Sequence, residues 1–451
     1  MAVETMAIER SRIKSGLLAV AAIALIGFIF KPKPPVQSYP NRKKVRFWHM
    51  WSGEWKDVID KIVLRFNQSQ DKYELVSLSI PSGASTKFLM GVAGGNPPDV
   101  MAQWEQVIPT WAESGLIQDL RPLMSPEEYA MFDREAYPLV KKIGMYKGKL
   151  YGVTTGINIS GIYYRPDFFR AAGIDPDHFP KTLEEIDAIA PKLDVWDKDK
   201  QLKRIGWLSP NWTSLAPAFG GGFYDWKAGK LTLDRPENVR ALEYMVNSRK
   251  RLGFDRVVRF QSGYGSDFGA AWSFIGGAQA IQMDGMWRIE QIGKYAPNLP
   301  YRVIAMPPPK GGVPLSGSTG GNFMIIPTGA KNPKGAAAFL KFWSGIDNPE
   351  RAAEFYTWGG WLPLYPRVTN SKIYQDYLKK YPQYKPMLAM MGSEHVDPSP
   401  PVIIQQFLMD KINQKQDLAL RGVITPSQAV KDLAREVNEE LGRRRKLGYA
   451  E

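Results

Sequence analysis

From Val45 to Met50 the chain alternates apolar and polar positions, Val-Arg-Phe-Trp-His-Met, which is the period of a half-buried strand. Ser52-Gly53-Glu54 breaks the run. Trp55, Val58, Ile59, Ile62, Val63 and Phe66 then recur at helical spacing. Leu75–Ile80 predicts a second strand and Ala84–Val92 a short helix. Pro98-Asp99-Val100-Met101 leads into a third strand, followed by a helix that ends at Ser114-Gly115. Strands alternating with helices predict an α/β fold with a mostly parallel sheet and helices on both faces. Ligands of such sheets bind at the carboxyl ends of the strands, which places Trp48 to Glu54 and Trp104 to Gln106 at a candidate site.

The pattern changes at Tyr151–Gly161, where Thr154, Thr155, Gly156, Asn158, Ser160 and Gly161 crowd together, and a new unit opens at Ile162. A capping box, Thr182 to Glu185, starts another helix there. A second polar, turn-rich stretch runs from Pro307 to Asn322. A chain of 451 residues exceeds one ordinary core and suits two. Two crossings in that length predict two discontinuous lobes about a hinge. The expected division is 45–153 plus 318–357 for the first lobe and 158–306 plus 358–440 for the second.

The ends read differently. Residues 1–15 form a basic n-region, and 16–30 are apolar, long enough for a secretory signal but short for a full span. Export is expected, to the periplasm or the extracytoplasmic face, with cleavage and retention as a membrane anchor both open. Residues 31–44 are a Pro-rich basic spacer and 441–451 a basic tail. The formal net charge is +14, yet nine Lys/Arg against two Glu lie in 1–46, and four basic residues against Glu451 lie in 441–451. Basicity confined to the ends argues against a phosphate-backbone groove, so no nucleic-acid partner is expected.

Other chemistries fall away in turn. With no cysteine there is no disulfide, thiolate metal site or catalytic thiol. His49, His178 and His395 are scattered, and Asp194, Asp197 and Asp199 lack the glycine and terminal Glu of a calcium loop. No P-loop, dinucleotide fingerprint or nucleophile elbow occurs, and no cofactor is expected.

Several stretches carry a resemblance. They include Gly95-Asn96-Pro97-Pro98-Asp99-Val100, Glu113-Ser114-Gly115-Leu116, Tyr146-Lys147-Gly148-Lys149-Leu150-Tyr151-Gly152 and Ile162-Tyr163-Tyr164-Arg165-Pro166-Asp167. Met283-Asp284-Gly285-Met286-Trp287, Gly320-Gly321-Asn322-Phe323 and Trp361-Leu362-Pro363 continue the series. In this order the sequence resembles the extracellular solute-binding family that includes the maltose-binding protein. The resemblance implies two α/β lobes that close over a solute, delivery to the membrane permease of an ABC importer, and no chemistry on the solute. A monomer without enzymatic activity is therefore expected. The resemblance carries Trp104 and Glu105 to the ligand-facing edge of the first lobe and Asp284, Gly285 and Trp287 to an aromatic turn of the second. Tyr163 falls just past the first crossing, where family members often place a contact.

The residues themselves point to a sugar. A pyranose has an apolar face that an aromatic ring covers and a hydroxyl rim that Asp, Glu, Asn and Arg satisfy. Trp48, Trp51 and Glu54 share one turn, Trp104 and Glu105 another, and Asp284, Trp287 and Arg288 a third. Trp361 and Trp212 sit in further turns, and Asn158 and Gly320 on the crossings complete the candidate set. Trp111, Trp207 and Trp343 lie in periodic apolar patterns and are expected in the core. Alternatives remain a charged or non-sugar solute, for which Arg288 is the one basic candidate, a sensory receptor subunit, or a glycoside hydrolase built on Glu54, Glu105 and Asp284.

Overall fold

A computed structural model describes residues 39–263 and 269–447, so the apolar segment 16–30 and most of the spacer lie outside the described residues. Residues from Lys43 onward form one compact unit. The first strand-helix units fall where the alternation predicts them. Strand β1 is Lys43–His49, helix α1 Gly53–Ser69, β2 Tyr73–Ser79, α2 Ala84–Ala93 and β3 Val100–Trp104. Helix α1 buries Ile59, Ile62, Val63 and Phe66, the apolar stripe read from the sequence.

The first crossing is not a turn. It is strand β4, Val153–Tyr164, twelve residues long. Its Val, Thr, Ile and Tyr content suits a pleated surface, and pairing on both edges overrides the local turn signal of Gly156, Asn158 and Gly161. The later strands are β5 Leu202–Trp207, β6 Gln279–Gly285, β7 Arg302–Ile304 and β8 Gly317–Ile325. Strand β8 lies within the second predicted crossing and runs past it. Of the helices in the second half, α3 Trp287–Tyr295, α4 Pro333–Ser344 and α5 Pro349–Gly359 begin, contain or precede a tryptophan of interest.

The sheet runs β2-β1-β3-β8-β4-β6-β5, with β7 also beside β4 and the short strand Val195–Trp196 antiparallel to β5 at the edge. Strands β2, β1 and β3 are parallel, as are β6 and β5, whereas β8 runs antiparallel to both β3 and β4, and β4 antiparallel to β6. The mostly parallel expectation therefore holds among β2, β1 and β3 and between β6 and β5, and fails at the centre. There the crossing strands enter from the opposite lobe and must run back. Val153–Ile159 of β4 pairs with β8, and Ser160–Tyr164 pairs with β6. One strand thus changes partner between Ile159 and Ser160 and joins the two parts of the sheet.

Most of the buried apolar side chains fall into two large cores. One gathers side chains from 45–163, 272–303 and 323–396, including Phe47, Trp111, Tyr163, Phe339 and Trp343. The other gathers Ile162, Trp207, Trp212 and Ala241 with Leu408 and Val437 from the C-terminal helices. Those helices are α6 Gln405–Leu420 and α7 Pro426–Lys446, so the basic run Arg443–Lys446 is the last turn of α7. Cations there face the negative end of the helix dipole, and Arg443 and Arg444 also pair with Glu440. Among the described residues no helix is long and apolar enough to cross a membrane.

Candidate functional site

A cleft of two chambers lies along β4 and β8, beyond the end of β3. The first, about 290 Å³, is lined by Trp104, Glu105 and Gln106 beyond β3, Asn158 and Ser160 of β4, and Ser318, Thr319 and Gly320 of β8. Residues 213–226 and 397–400 close it from the other side, with Thr213, Tyr224, Trp226, Asp397 and Ser399 among them. The second chamber, about 380 Å³, is lined by Met50, Trp51, Trp55, Met286 and Trp361, with Thr155 and Asn322. Trp104, Asn158 and Trp287 line both and form the shared wall. Trp104 is 45% exposed, a large ring left open at the centre of the cleft.

The indoles are aimed by glycines. Helix α3 begins with Trp287, and a Cβ on Gly285 would lie 2.1 Å from the Trp287 ring. Gly359, the last residue of α5, would place a Cβ 2.4 Å from the ring of Trp361. Each Gly-x-Trp turn lets an indole fold back across its own chain. Trp361 then stacks on Trp343 of α4 at 5.4 Å and 24°. Trp51 stacks on the same Trp343 at 5.8 Å and 18°. The buried Trp343 donates its indole N–H to the Thr155 carbonyl at 3.2 Å. The wall of the second chamber is therefore fixed in advance of any ligand.

Glu105 is a different kind of group. It is only 3% exposed, and it accepts from the Gly321 amide at 3.0 Å and from the Gln106 side chain at 2.7 Å. A Cβ on Gly320 would sit 2.7 Å from a Glu105 carboxyl oxygen, so a side chain there would displace the carboxyl. Glu105 thus ties the turn after β3 to the crossing strand β8. Burial pushes its carboxyl up from the ordinary 4.5 to about 7, against the opposing pull of the Gly321 amide. The folded protein holds this proton more tightly than the unfolded chain. The resulting stability is complete below about pH 4.5 and is lost as pH rises through about 7. In urea unfolding between those limits, wild type should lose stability with rising pH relative to Glu105→Gln. Parallel curves would show that Glu105 does not titrate there. Asp397, on the opposite wall, is also pushed up by burial, to about 6.

Of the residues singled out from the sequence, Trp51, Trp104, Glu105, Asn158, Trp287, Gly320 and Trp361 line the chambers. The others lie elsewhere. Trp48 packs its ring against Gly91 of α2. Glu54 pairs with Lys294 beside Trp55, in a separate small recess. Tyr163 is fully buried and donates its hydroxyl to the Gly285 carbonyl at 2.8 Å. Trp212 is also fully buried, donates to the Asn238 carbonyl at 2.8 Å, and supports the lining residue Phe223 edge-on at 5.1 Å. Its neighbour Thr213 faces the cleft instead. Arg288 turns inward to Asp284 at 2.9 Å and lies over the Trp272 ring at 4.4 Å. Gly285 acts through the space that it leaves for Trp287.

The sequence pattern places Gln106 at the site but does not point to Trp55, Ser160, Tyr224, Trp226, Ser318, Thr319 and Asp397 as lining residues. Strand alternation carries a signal for one of them, because Ser160 lies two residues beyond Asn158 on the same face. The Gly-rich turn before Tyr224 and the Pro-rich run after Asp397 signal loops without a direction.

Comparison with known proteins agrees with this architecture. The family model for bacterial extracellular solute-binding protein matches residues 61–384. The sn-glycerol-3-phosphate-binding periplasmic protein UgpB of Escherichia coli strain K12 is 23% identical over 363 residues, which cover 75% of this chain and 78% of that protein. Its counterpart in Salmonella paratyphi A is 25% identical over 359 residues, with the same coverage of 75% and 78%. Among solved structures, CpMnBP1 with mannotriose bound superposes with a TM-score of 0.75 at 24% identity, covering 88% of this chain and all 100% of that one. The sugar-binding protein MalE from Xanthomonas citri gives 0.73 at 18% identity, covering 91% and 100%. These likenesses share the fold, and the family match spans most of the sequence. The chain belongs to the bacterial extracellular solute-binding proteins.

Proposed function

We propose that this protein captures an uncharged sugar or oligosaccharide in the two-chambered cleft and delivers it, chemically unchanged, to the membrane permease of an ABC importer. The observation that carries the reading is the lining. Six indoles face hydroxyl and amide groups, and no Lys or Arg lines either chamber among the described residues. A phosphate ester such as sn-glycerol 3-phosphate, named for the relatives, calls for a compensating cation. Arg288, the basic candidate of the sequence, is spent on Asp284.

A hydrolase is disfavoured by the same geometry. Glu54 is held by Lys294, Asp284 by Arg288, and Glu105 by the Gly321 amide, so these three carboxyls do not converge on one bond. Binding alone suffices for transport. A ligand that touches both walls favours closure by its differential affinity, and full reversal of an open population takes about 5.5 kcal/mol. Stacked rings with desolvated hydroxyl contacts are of that order. The protein acts outside the cytoplasm as a monomer, and the segment 16–30 is its export signal or anchor.

The test is a tryptophan-fluorescence titration against neutral mono- and oligosaccharides and sn-glycerol 3-phosphate, with mass analysis of the recovered sugar. A saturable response to a neutral glycan, none to the phosphate ester, and an intact sugar are expected. A response to the anion alone overturns the proposal, and cleaved sugar makes the protein an enzyme.

A further inference from the structure

The two chambers differ in chemistry more than two sugar subsites require. Both carboxyls of the cleft, Glu105 and Asp397, line the first chamber, together with Gln106, Ser160, Thr213 and Thr319. The second chamber has no charged lining residue among the described residues. It is walled by Trp51, Trp55, Trp104, Trp287 and Trp361, with Met50 and Met286. Apart from the indole N–H groups, which only donate, its side-chain polar groups are those of Ser52, Thr155, Asn158 and Asn322. The Thr155 hydroxyl already donates to the Asn322 carbonyl at 3.0 Å, and Asn158 is shared with the first chamber.

A pyranose placed there would desolvate several hydroxyl donors against few side-chain acceptors, and each buried hydroxyl left unpaired costs binding. An apolar group has no such requirement. It gains from contact with indoles that Trp343 already holds in a stack. We propose that the second chamber seats an apolar substituent of the ligand, an aryl or branched alkyl group carried by the sugar that occupies the first. The preferred solute is then an amphiphilic glycoside rather than a longer uniform oligosaccharide. This inference rests on the sugar reading above and adds the class of aglycone.

Isothermal titration of the full-length chain with methyl and phenyl glycosides of D-glucose, D-mannose and D-galactose, beside the disaccharides of each, tests it. For at least one hexose the phenyl glycoside should bind at least tenfold tighter than the methyl glycoside. Trp55→Ser, at a half-buried position, should cut that ratio to about twofold, and Trp361→Ala should do the same if circular dichroism shows it folded. Equal affinity for phenyl and methyl glycosides sinks this inference and leaves the sugar reading standing. A tenfold gain for a disaccharide without one for the phenyl glycoside places a second sugar ring in the chamber and also overturns it. Silence toward every glycoside removes both readings together.

Discussion

Trp287→Ala is expected to weaken binding of the cognate sugar at least thirtyfold while leaving the fold intact. The ring lines both chambers, so its removal opens the shared wall and strips stacking surface from each side at once. Truncating a central, desolvated tryptophan commonly costs about 2 kcal/mol or more, which is about thirtyfold in affinity. Gly285→Ala should reproduce much of the loss without touching the indole. Its new Cβ would occupy a point 2.1 Å from the Trp287 ring and drive that ring out of place. Isothermal titration of both variants, with urea unfolding as the control, decides the matter. If both keep wild-type affinity, Trp287 is not a ligand wall and the cleft is not the site.

Trp343→Ala should instead unfold the protein more readily, by about 3–5 kcal/mol in urea, as expected for a large aromatic removed from a core. Trp343 is fully buried, stacks on both Trp51 and Trp361, and meets Phe339 edge-on at 5.9 Å. Its loss also leaves the Thr155 carbonyl on β4 without its indole donor. Because Trp51 and Trp361 line the second chamber, affinity should fall as well, although Trp343 itself lines neither chamber. Trp343→Phe, which keeps an aromatic ring, should recover most of the stability and part of the affinity. A loss below about 1 kcal/mol would show that the three-ring stack is incidental.

Much of the fold is legible in the local pattern of residues. Periodicity places β1, α1, β2, α2 and β3, because these units bury one face each and their spacing records that face. The turns at Trp51, Trp104 and Trp287 at strand ends, and the Gly-Gly turn before Trp361 at a helix end, are equally visible in the sequence. Trp111, Trp207 and Trp343, expected in the core from their periodic neighbours, are buried.

Direction is what local pattern does not carry. Trp287 and Arg288 are adjacent, yet one faces the cleft and the other turns to Asp284, because successive residues of a helix point about 100° apart. Trp212 and Thr213 divide in the same way, and Tyr163 faces the core. Nor does periodicity foresee that β4 leaves β8 for β6 between Ile159 and Ser160, since that pairing joins segments more than a hundred residues apart. The elements, the family and the kinds of residue available for a sugar are thus written in the chain alone. Which of those residues meet, and hence that one chamber is polar and the other a box of indoles, depends on the folded arrangement. Chemistry and period are local properties of a chain, whereas a cavity exists only where distant segments converge.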